Sequence, residues 1–241
     1  PALQTTEIFG RPIYQYSYRE AVIDGYLIDH DAPVQIQTEL SRKGIHLKKG
    51  DQVKMFQPDE PEKVDTATLE DDVDFDVEDF NRSVITEGFK EIFTQRGVPS
   101  DAIVKITGAS FGGDRKKISD AIKRFKNEDY PSVVVTVDLL TTGVDVPSIT
   151  SLVFLRRVKS RILFEQMLGR ATRRCDEIGK SKFDIYDAVG EFAEMAKVTD
   201  MKPVATSVTT TFEDLFEGLK IVKDESQIRD HVDQILVKLQ R

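Results

Sequence analysis

The sequence predicts an α/β fold with a mainly parallel sheet, and two observations carry this prediction. Apolar, β-branched runs of about five residues, such as 133–137 and 151–155, are too short for globular helices and suit buried strands. Segments with helical periodicity alternate with these runs, in the order strand, helix, strand, loop, strand, helix, strand. Such alternation is typical of parallel sheets whose faces are covered by helices.

The first part of the chain predicts only small elements. Residues 13–17 predict a short strand, and residues 18–22 predict a helix that ends at Gly25, since glycine readily adopts the backbone conformation of a helix end. Residues 34–40 alternate apolar and polar side chains and therefore predict a half-buried strand. The glycines and lysines of residues 41–57 predict a hairpin or an irregular excursion.

Acidic residues crowd the segment 58–80. A solvated acidic loop is the simplest interpretation, and a metal site is the alternative, because hard cations bind carboxylates. The segment lacks the D-x-D-x-D-G spacing of a calcium loop. We therefore predict no metal site here, and a helix over 81–96 follows.

The middle of the chain predicts the next strand and helix of the sheet. Residues 102–108 predict a strand that ends at Thr107 and Gly108. A helix is predicted from 113 to 125, with an apolar stripe that we expect to pack against the sheet. The stripe comprises Ile118, Ala121, Ile122 and Phe125.

The end of the chain predicts one more strand and then a helical extension. Residues 183–187 predict the last strand of the sheet, and residues 202–211 predict a linker or a short hairpin. From residue 212 onwards helix is predicted, ending in an amphipathic tail that packs on the lobe or begins a further helical domain, with partner binding as the alternative. The apolar positions of the tail are Ile228, Val232, Ile235, Leu236 and Leu239.

Composition narrows the possible classes of protein. No apolar run approaches the length of a membrane span, and the single cysteine, Cys175, excludes an internal disulfide and a cysteine-rich zinc site. We therefore expect a cytoplasmic protein without a membrane segment. The net charge of −8 does not exclude a nucleic-acid ligand, because local fields govern such binding. Basic residues gather locally, at Arg156, Arg157, Lys159, Arg161, Arg170, Arg173 and Arg174.

The stretch from 141 to 174 carries the strongest chemical signal. A polar loop, TTGVDVP, follows one predicted strand, and a predicted helix carries Gln166, Arg170 and Arg173 at positions i, i+4 and i+7 of one face. Arginine stabilises the charge of a transferring phosphoryl group well, because its planar guanidinium is permanently charged and can bind two oxygens. A phosphate clamp is one interpretation of this face, and an exposed basic helix is the other.

The loop TTGVDVP followed by QMLGRATR resembles motifs V and VI of superfamily 2 helicases and translocases. The longer stretch DLLTTGVDVP…LVFLRRVKSRILFEQMLGRATRRC, together with YSYREAVIDGYLID near the start, resembles the motor region of the restriction (R) subunit of type I restriction–modification enzymes. The resemblance implies a RecA-like, P-loop NTPase-type second lobe over residues 34–200. It also implies an inter-lobe connector over 1–33, and residues 201–241 are left as a linker and helical extension.

The resemblance implies roles for residues that match the motifs. Arg170 and Arg173 would be catalytic arginine fingers beside Gln166, and these three would also contact ATP together with Gly143 and Asp145. Thr107, Thr141 and Thr142 stand where the family contacts the DNA backbone. Arg174 lies outside the pattern and receives no catalytic role.

The resemblance also exposes what this sequence lacks. A second lobe should carry a buried strand with motif IV before the helix at 81–96, and the join at Phe89 and Lys90 reads as though a segment were omitted there. No G-x-x-x-x-G-K-[ST] pattern occurs; Gly179-Lys180-Ser181 imitates its end, but Arg174 stands where the pattern needs glycine. ATP and Mg²⁺ would therefore be held mainly by a first lobe, and no part of the family's nuclease domain is visible.

These inferences together predict the motor part of an ATP-dependent type I site-specific deoxyribonuclease, which pumps double-stranded DNA before cleavage. Its expected partners are DNA and the specificity and methyltransferase subunits of a bacterial or archaeal system. Two alternatives remain open at this point. One is the second lobe of another superfamily 2 helicase, such as an excision-repair subunit. The other is a nucleic-acid-binding module without turnover.

Overall fold

The structure is a computed structural model that describes residues 10, 13–37, 44–56, 64–75, 82–136, 145–158, 160–205 and 210–241. The helices are α1 (Tyr18–Ile23), α2 (Arg82–Gln95), α3 (Arg115–Asn127), α4 (Arg161–Ala171), α5 (Glu191–Met195), α6 (Phe212–Ile221) and α7 (Glu225–Gln240). The strands are β1 (Asp29–His30), β2 (Val34–Gln35), β3 (Ile45–Leu47), β4 (Gln52–Phe56), β5 (Val64–Thr68), β6 (Val73–Phe75), β7 (Ile103–Lys105), β8 (Val133–Val135), β9 (Ser151–Phe154) and β10 (Lys182–Asp187).

Strand β10 is the centre of the main sheet. It pairs in parallel with β1, β2 and β9, and its side chains alternate between buried and half-buried positions. A second parallel pair joins β7 to β8, with Ile103 opposite Val133. The parallel pairing and the helices that alternate with it confirm the predicted α/β fold.

The core lies between the main sheet and helix α4. Phe164 and Phe183 are fully buried there, and the Phe164 ring lies 5.5 Å from that of Phe154 and 5.7 Å from that of Phe192. A smaller apolar cluster joins three parts of the chain, namely α1, α7 and the segment that follows α5. It comprises Tyr18, Val22, Val204, Ala205 and Val237.

The described part of the segment between the main-sheet strand β2 and helix α2 forms two antiparallel pairs. Strand β3 pairs with β6, and β4 pairs with β5 between them, so the four strands form nested hairpins. The strands within 41–57 do not form the predicted hairpin with each other, because their partners lie at 73–75 and 64–68. These partners fall inside the segment predicted as an acidic loop, so the loop prediction was also wrong for the described residues. The two described strands just before α2 are β5 and β6, and both pair antiparallel, so the described residues 64–75 contain no parallel strand. Helix α2 runs without a break through Phe89 and Lys90, and the omitted segment stays a prediction.

Three further predictions about local structure hold only in part or not at all. Residues 13–17 form no strand, because Ser17 caps α1: its hydroxyl accepts from the backbone N–H of Glu20. The strand predicted over 34–40 is limited to Val34 and Gln35, both exposed, and residues 38–40 lie outside the described part. The apolar stripe of α3 is only half-buried, since α3 has no fully buried residue.

The helical extension is confirmed as α6 and α7. Residues 202–205 form neither helix nor strand, and 206–209 lie outside the described part. Of the tail, Val237 packs against α1, whereas Ile228, Val232 and Leu239 stay partly exposed. In the described part of the chain, no helix is long and apolar enough to cross a membrane.

Candidate functional site

Helix α4 presents the predicted glutamine and arginine towards solvent. Ser160 caps its first turn, and Phe164, Leu168 and Ala171 anchor its other face in the core. With that face fixed, Gln166 is exposed and Arg170 is partly exposed. The two side chains are one turn apart, so they share one face of the helix, as predicted.

Arg173 does not lie on that helix, and this part of the prediction was wrong. Helix α4 ends at Ala171, and the Thr172 hydroxyl donates to the Gly169 carbonyl, 3.0 Å away. Arg173 then pairs with Leu27 in an antiparallel bridge, and the N–H of Ile28 donates to the Thr172 carbonyl at 2.8 Å. The backbone of Arg173 therefore pairs with the chain that follows α1 and does not continue the helix.

The guanidinium of Arg173 meets the carboxylate of Asp145. The distance from Nη1 to Oδ1 is 2.5 Å, and the two side chains are 44% and 46% exposed. Asp145 belongs to the polar loop that the sequence singled out, so two distant motifs come into contact at one place. Thr141, Thr142 and Gly143 of the same loop lie outside the described residues.

Lys180 lies beneath this contact, and no functional role was predicted for it. Its side chain is buried, and Nζ donates to the carbonyl oxygens of Pro147 (2.9 Å), Ala171 (2.8 Å) and Arg173 (3.0 Å). Burial lowers the pKa of this ammonium from its usual 10.5 to about 8. The only sequence signal was a lysine following a glycine in a short turn, which resembled the end of a phosphate-binding loop.

Thr107 occupies a tight turn at the carboxyl end of β7. Its side chain is buried, its N–H donates to the Ser110 hydroxyl at 2.9 Å, and the two hydroxyl oxygens lie 3.2 Å apart. The Ser110 hydroxyl donates in turn to the Lys105 carbonyl at 3.1 Å. The hydrogen bonds of its side chain are thus local to this turn, and its contact with DNA stays a prediction.

Several of the locally clustered basic residues have structural partners. Arg161 pairs with Glu165 at 3.4 Å and donates to the Val198 carbonyl at 3.0 Å. Arg174 donates to the Gly25 carbonyl at 2.9 Å, which ties it to the chain after α1 and away from Asp145. Arg156 is exposed, and Lys159 lies outside the described residues. The described residues hold no cluster of metal ligands.

Comparison with known proteins shows the family of the chain. Residues 80–175 match the family model described as the helicase conserved C-terminal domain. Over its whole length the chain is 40% identical to the endonuclease subunit of the type I restriction enzyme EcoKI from Escherichia coli strain K12. The chain belongs to the R-subunit family of type I restriction enzymes. It corresponds to the second motor lobe of that subunit.

Another R subunit and one helicase resemble the chain less. The endonuclease subunit of the type I restriction enzyme EcoAI from Escherichia coli is 24% identical over 77% of the chain. The chain spans about a quarter of the two R subunits, 24% of the first and 26% of the second. A putative ATP-dependent RNA helicase, MJ1505 of Methanocaldococcus jannaschii, is 33% identical over 36% of the chain, which spans 11% of it.

A solved structure shares the fold of this R-subunit lobe. It is the fragment structure of a putative HsdR subunit of a type I restriction enzyme from Vibrio vulnificus YJ016, with a TM-score of 0.53 and 22% identity. The match covers 83% of this chain and 39% of that one. At this identity the likeness concerns the fold alone, and it agrees with the predicted RecA-like lobe.

Proposed function

We propose that this lobe completes the ATP site of a motor that moves double-stranded DNA before a type I restriction enzyme cleaves it. The contact between Arg173 and Asp145 carries the proposal, because it joins the two polar motifs at a surface open to a ligand. The membership of the R-subunit family supports the same function. It disfavours an excision-repair helicase as the source of the lobe.

The exposed side of the site fits a phosphate group. A guanidinium has five N–H donors in a planar fork, and the ion pair with Asp145 engages Nη1, which leaves Nε and Nη2 for two oxygens of one phosphate. Arg170 and Gln166, on the exposed face of α4, lie close in sequence to this fork and add further donors. Bound ATP with Mg²⁺ would supply the phosphoryl group that is transferred to water.

In this mechanism Arg173 acts through charge. Its guanidinium would stabilise the negative charge that develops on the transferring group, and it can do so only when held in position beforehand. Asp145 supplies that orientation, since a carboxylate beside the guanidinium limits where its fork can point. Arg170 would hold a neighbouring phosphate oxygen, and Gln166 would hold the attacking water or the ribose-side oxygens.

The remaining parts of the ATP site would come from a first lobe. No G-x-x-x-x-G-K-[ST] pattern occurs in the sequence, so the phosphate cradle and the Mg²⁺ ligands are expected on the other side of a cleft. Closing that cleft would bring Arg173 to the nucleotide, and opening it would release the product. This cycle couples hydrolysis to movement of the two lobes.

The DNA side of the proposal rests on Thr107, Thr141 and Thr142. Contacts from threonines to a phosphate backbone carry no sequence information, so the choice of the target site would belong to specificity and methyltransferase subunits. Such contacts suit a motor, because it must move along any sequence.

The experiment that tests this function measures ATP hydrolysis and movement separately in the intact enzyme that carries this chain. We expect hydrolysis to be stimulated by duplex DNA, and a third strand annealed to the duplex at a distance to be displaced with a lag that grows with that distance. Duplex DNA should not be separated into single strands. Binding to DNA without hydrolysis would contradict the proposal and favour a binding module, and strand separation would favour a helicase.

A further inference from the structure

The ammonium of Lys180 donates three hydrogen bonds, and all three acceptors are main-chain carbonyl oxygens. The acceptors are the oxygens of Pro147, Ala171 and Arg173, at 2.9, 2.8 and 3.0 Å. An ammonium has three donors, so its hydrogen-bonding capacity is fully used. Buried lysines are rare unless their charge is paired, so this one needs an explanation beyond filling space.

The three carbonyls belong to the two halves of the proposed ATP site. Pro147 lies two residues after Asp145 in the polar loop. Ala171 is the last residue of α4, where carbonyl groups lack partners within the helix, and Arg173 is the proposed finger itself. One positive charge therefore connects the loop that holds Asp145 with the backbone that carries Arg173.

A short turn delivers Lys180 to this place. Residues 176–178 form a single 3₁₀ turn, and Gly179 follows in the left-handed conformation with a φ of +60°. The N–H of Lys180 then donates to the Cys175 carbonyl at 3.1 Å, which closes the turn. The chain thus reverses direction after α4, and Lys180 comes to lie next to the backbone of Ala171 and Arg173.

We propose that Lys180 is a positioning residue for Arg173: its ammonium fastens the finger's backbone and the end of α4 to the loop that carries Asp145. The two segments then present one rigid edge to the nucleotide. The inference rests on the proposed function, because it assigns Lys180 a part in ATP hydrolysis. Lys180 touches no reacting group, so its effect passes through Arg173.

The protonation state of Lys180 gives this role a signature. The neutral amine has two donors for three carbonyls, so one carbonyl loses its partner when the proton leaves, near pH 8. Cys175 is the charged or titratable neighbour that acts on Lys180 most directly. Lys180 also lines a surface pocket, and the charged residues that share this pocket with it are Asp29, Arg174, Asp176 and Arg241.

The test uses Lys180→Met in the intact enzyme, with Lys182→Met as the matched control. Lys182 lies two residues further on and pairs with Asp31 and Asp184, at 2.6 and 3.2 Å, instead of with the site. We expect Lys180→Met to lower kcat for DNA-stimulated ATP hydrolysis by about 10- to 100-fold, since small displacements of catalytic groups have effects of this size. KM for ATP should change much less, and Lys182→Met should leave both unchanged.

The pH profile separates positioning from a merely structural role. In the unaltered enzyme kcat should fall as pH rises through about 8, and this fall should be absent in Lys180→Met. Cys175→Ala should keep the fall, which excludes the thiol as its source. Lys180→Gln, which keeps two donors without a charge, supplies the same comparison if the methionine variant does not fold.

The results distinguish the two proposals. An unaltered kcat in Lys180→Met, or a fall near pH 8 that persists in the Lys180 variants, would overturn the positioning role alone. Absence of DNA-stimulated hydrolysis in the unaltered enzyme would instead overturn the proposed function.

Discussion

Arg173 and Asp145 form the ion pair on which the proposed site depends, and the backbone pairing of Arg173 with Leu27 holds the arginine beside the polar loop. The spacing along the predicted helix indicated arginines suited to phosphate chemistry, and the resemblance to motif V implied a role for Asp145. The spacing also placed Arg173 on a helix, because periodicity along the chain cannot show that Leu27 and Ile28 capture the backbone beyond Ala171. Pairing with a distant segment decided where the side chain lies.

The ion pair predicts that Asp145 affects activity more than stability. Both side chains are nearly half exposed, and exposed ion pairs contribute less than about 1 kcal/mol to stability. We expect Asp145→Asn to change the free energy of unfolding by less than about that amount, yet to lower kcat for ATP hydrolysis about tenfold through lost orientation of Arg173. Urea unfolding and steady-state kinetics on the same preparation measure the two effects. A large loss of stability with normal kcat would contradict this role.

Burial of Lys180 predicts that stability and activity depend on pH in opposite directions. Its pKa falls from 10.5 to about 8 in the folded protein, so between those values the unfolded chain binds more protons. The contribution of Lys180 to the free energy of unfolding is therefore lowest below pH 8 and rises towards pH 10.5. Urea unfolding of the unaltered protein and of Lys180→Met from pH 7 to 10 checks this sign. The free energy of unfolding of the unaltered protein minus that of the variant should rise with pH, and a fall of this difference would contradict the prediction.

At the scale of elements, the sequence predicted long periodic segments better than short ones. Helices α2 and α3 and strand β10 lie close to where periodicity and apolar runs placed them, and α4 does so as far as Ala171. The strands predicted over 13–17 and 34–40 were wrong or too long. A few alternating residues favour a strand only where a neighbouring strand is available, and Ser17 instead caps α1.

Two helical glycines predict opposite effects of the same substitution. In α2, nothing lies within 4 Å of a Cβ added to Gly88, whereas in α6 a Cβ on Gly218 would lie 2.7 Å from Nε2 of His231. A hydrogen bond between Nδ1 of His231 and the Gln227 carbonyl, 2.9 Å long, limits how far that ring can move.

We therefore expect Gly88→Ala to stabilise the protein by up to about 1 kcal/mol, since alanine favours helix. Gly218→Ala should destabilise it by about 1 to 3 kcal/mol, because α6 and α7 must separate. Thermal unfolding of both variants tests the pair, each serving as the control for the other. The same sign for both would contradict the packing of α6 against α7.

At the scale of the whole molecule, a buried carboxylate joins the main sheet to segments that lie far along the chain. Asp29, in the main sheet, accepts hydrogen bonds from the N–H groups of Val204 and Ala205 and pairs with Arg241 at 3.1 Å. Burial beside this carboxylate raises the pKa of Tyr18 above its usual range. The first segment, the lobe and the final helix are thereby held together.

This joining could not be predicted from the sequence. Apolar runs indicated the α/β class, which the parallel pairing around β10 confirms. Nothing in the pattern around Asp29 or Lys180 indicated burial, because charged residues are usually exposed. Their positions depend on contacts between segments far apart in the chain, for which a single sequence carries no signal.

If Arg173 completes an ATP site across a cleft, as we propose, its effect must be measured in the whole enzyme. The measurement is the rate of DNA-stimulated ATP hydrolysis by Arg173→Ala, with binding to duplex DNA measured in parallel. Arg174→Ala is the matched control, because it removes the adjacent guanidinium, which binds the Gly25 carbonyl instead of Asp145. We expect Arg173→Ala to lower kcat by about 1,000-fold or more with DNA binding largely retained, and Arg174→Ala to keep most of the activity. Hydrolysis that persists in Arg173→Ala would contradict the account.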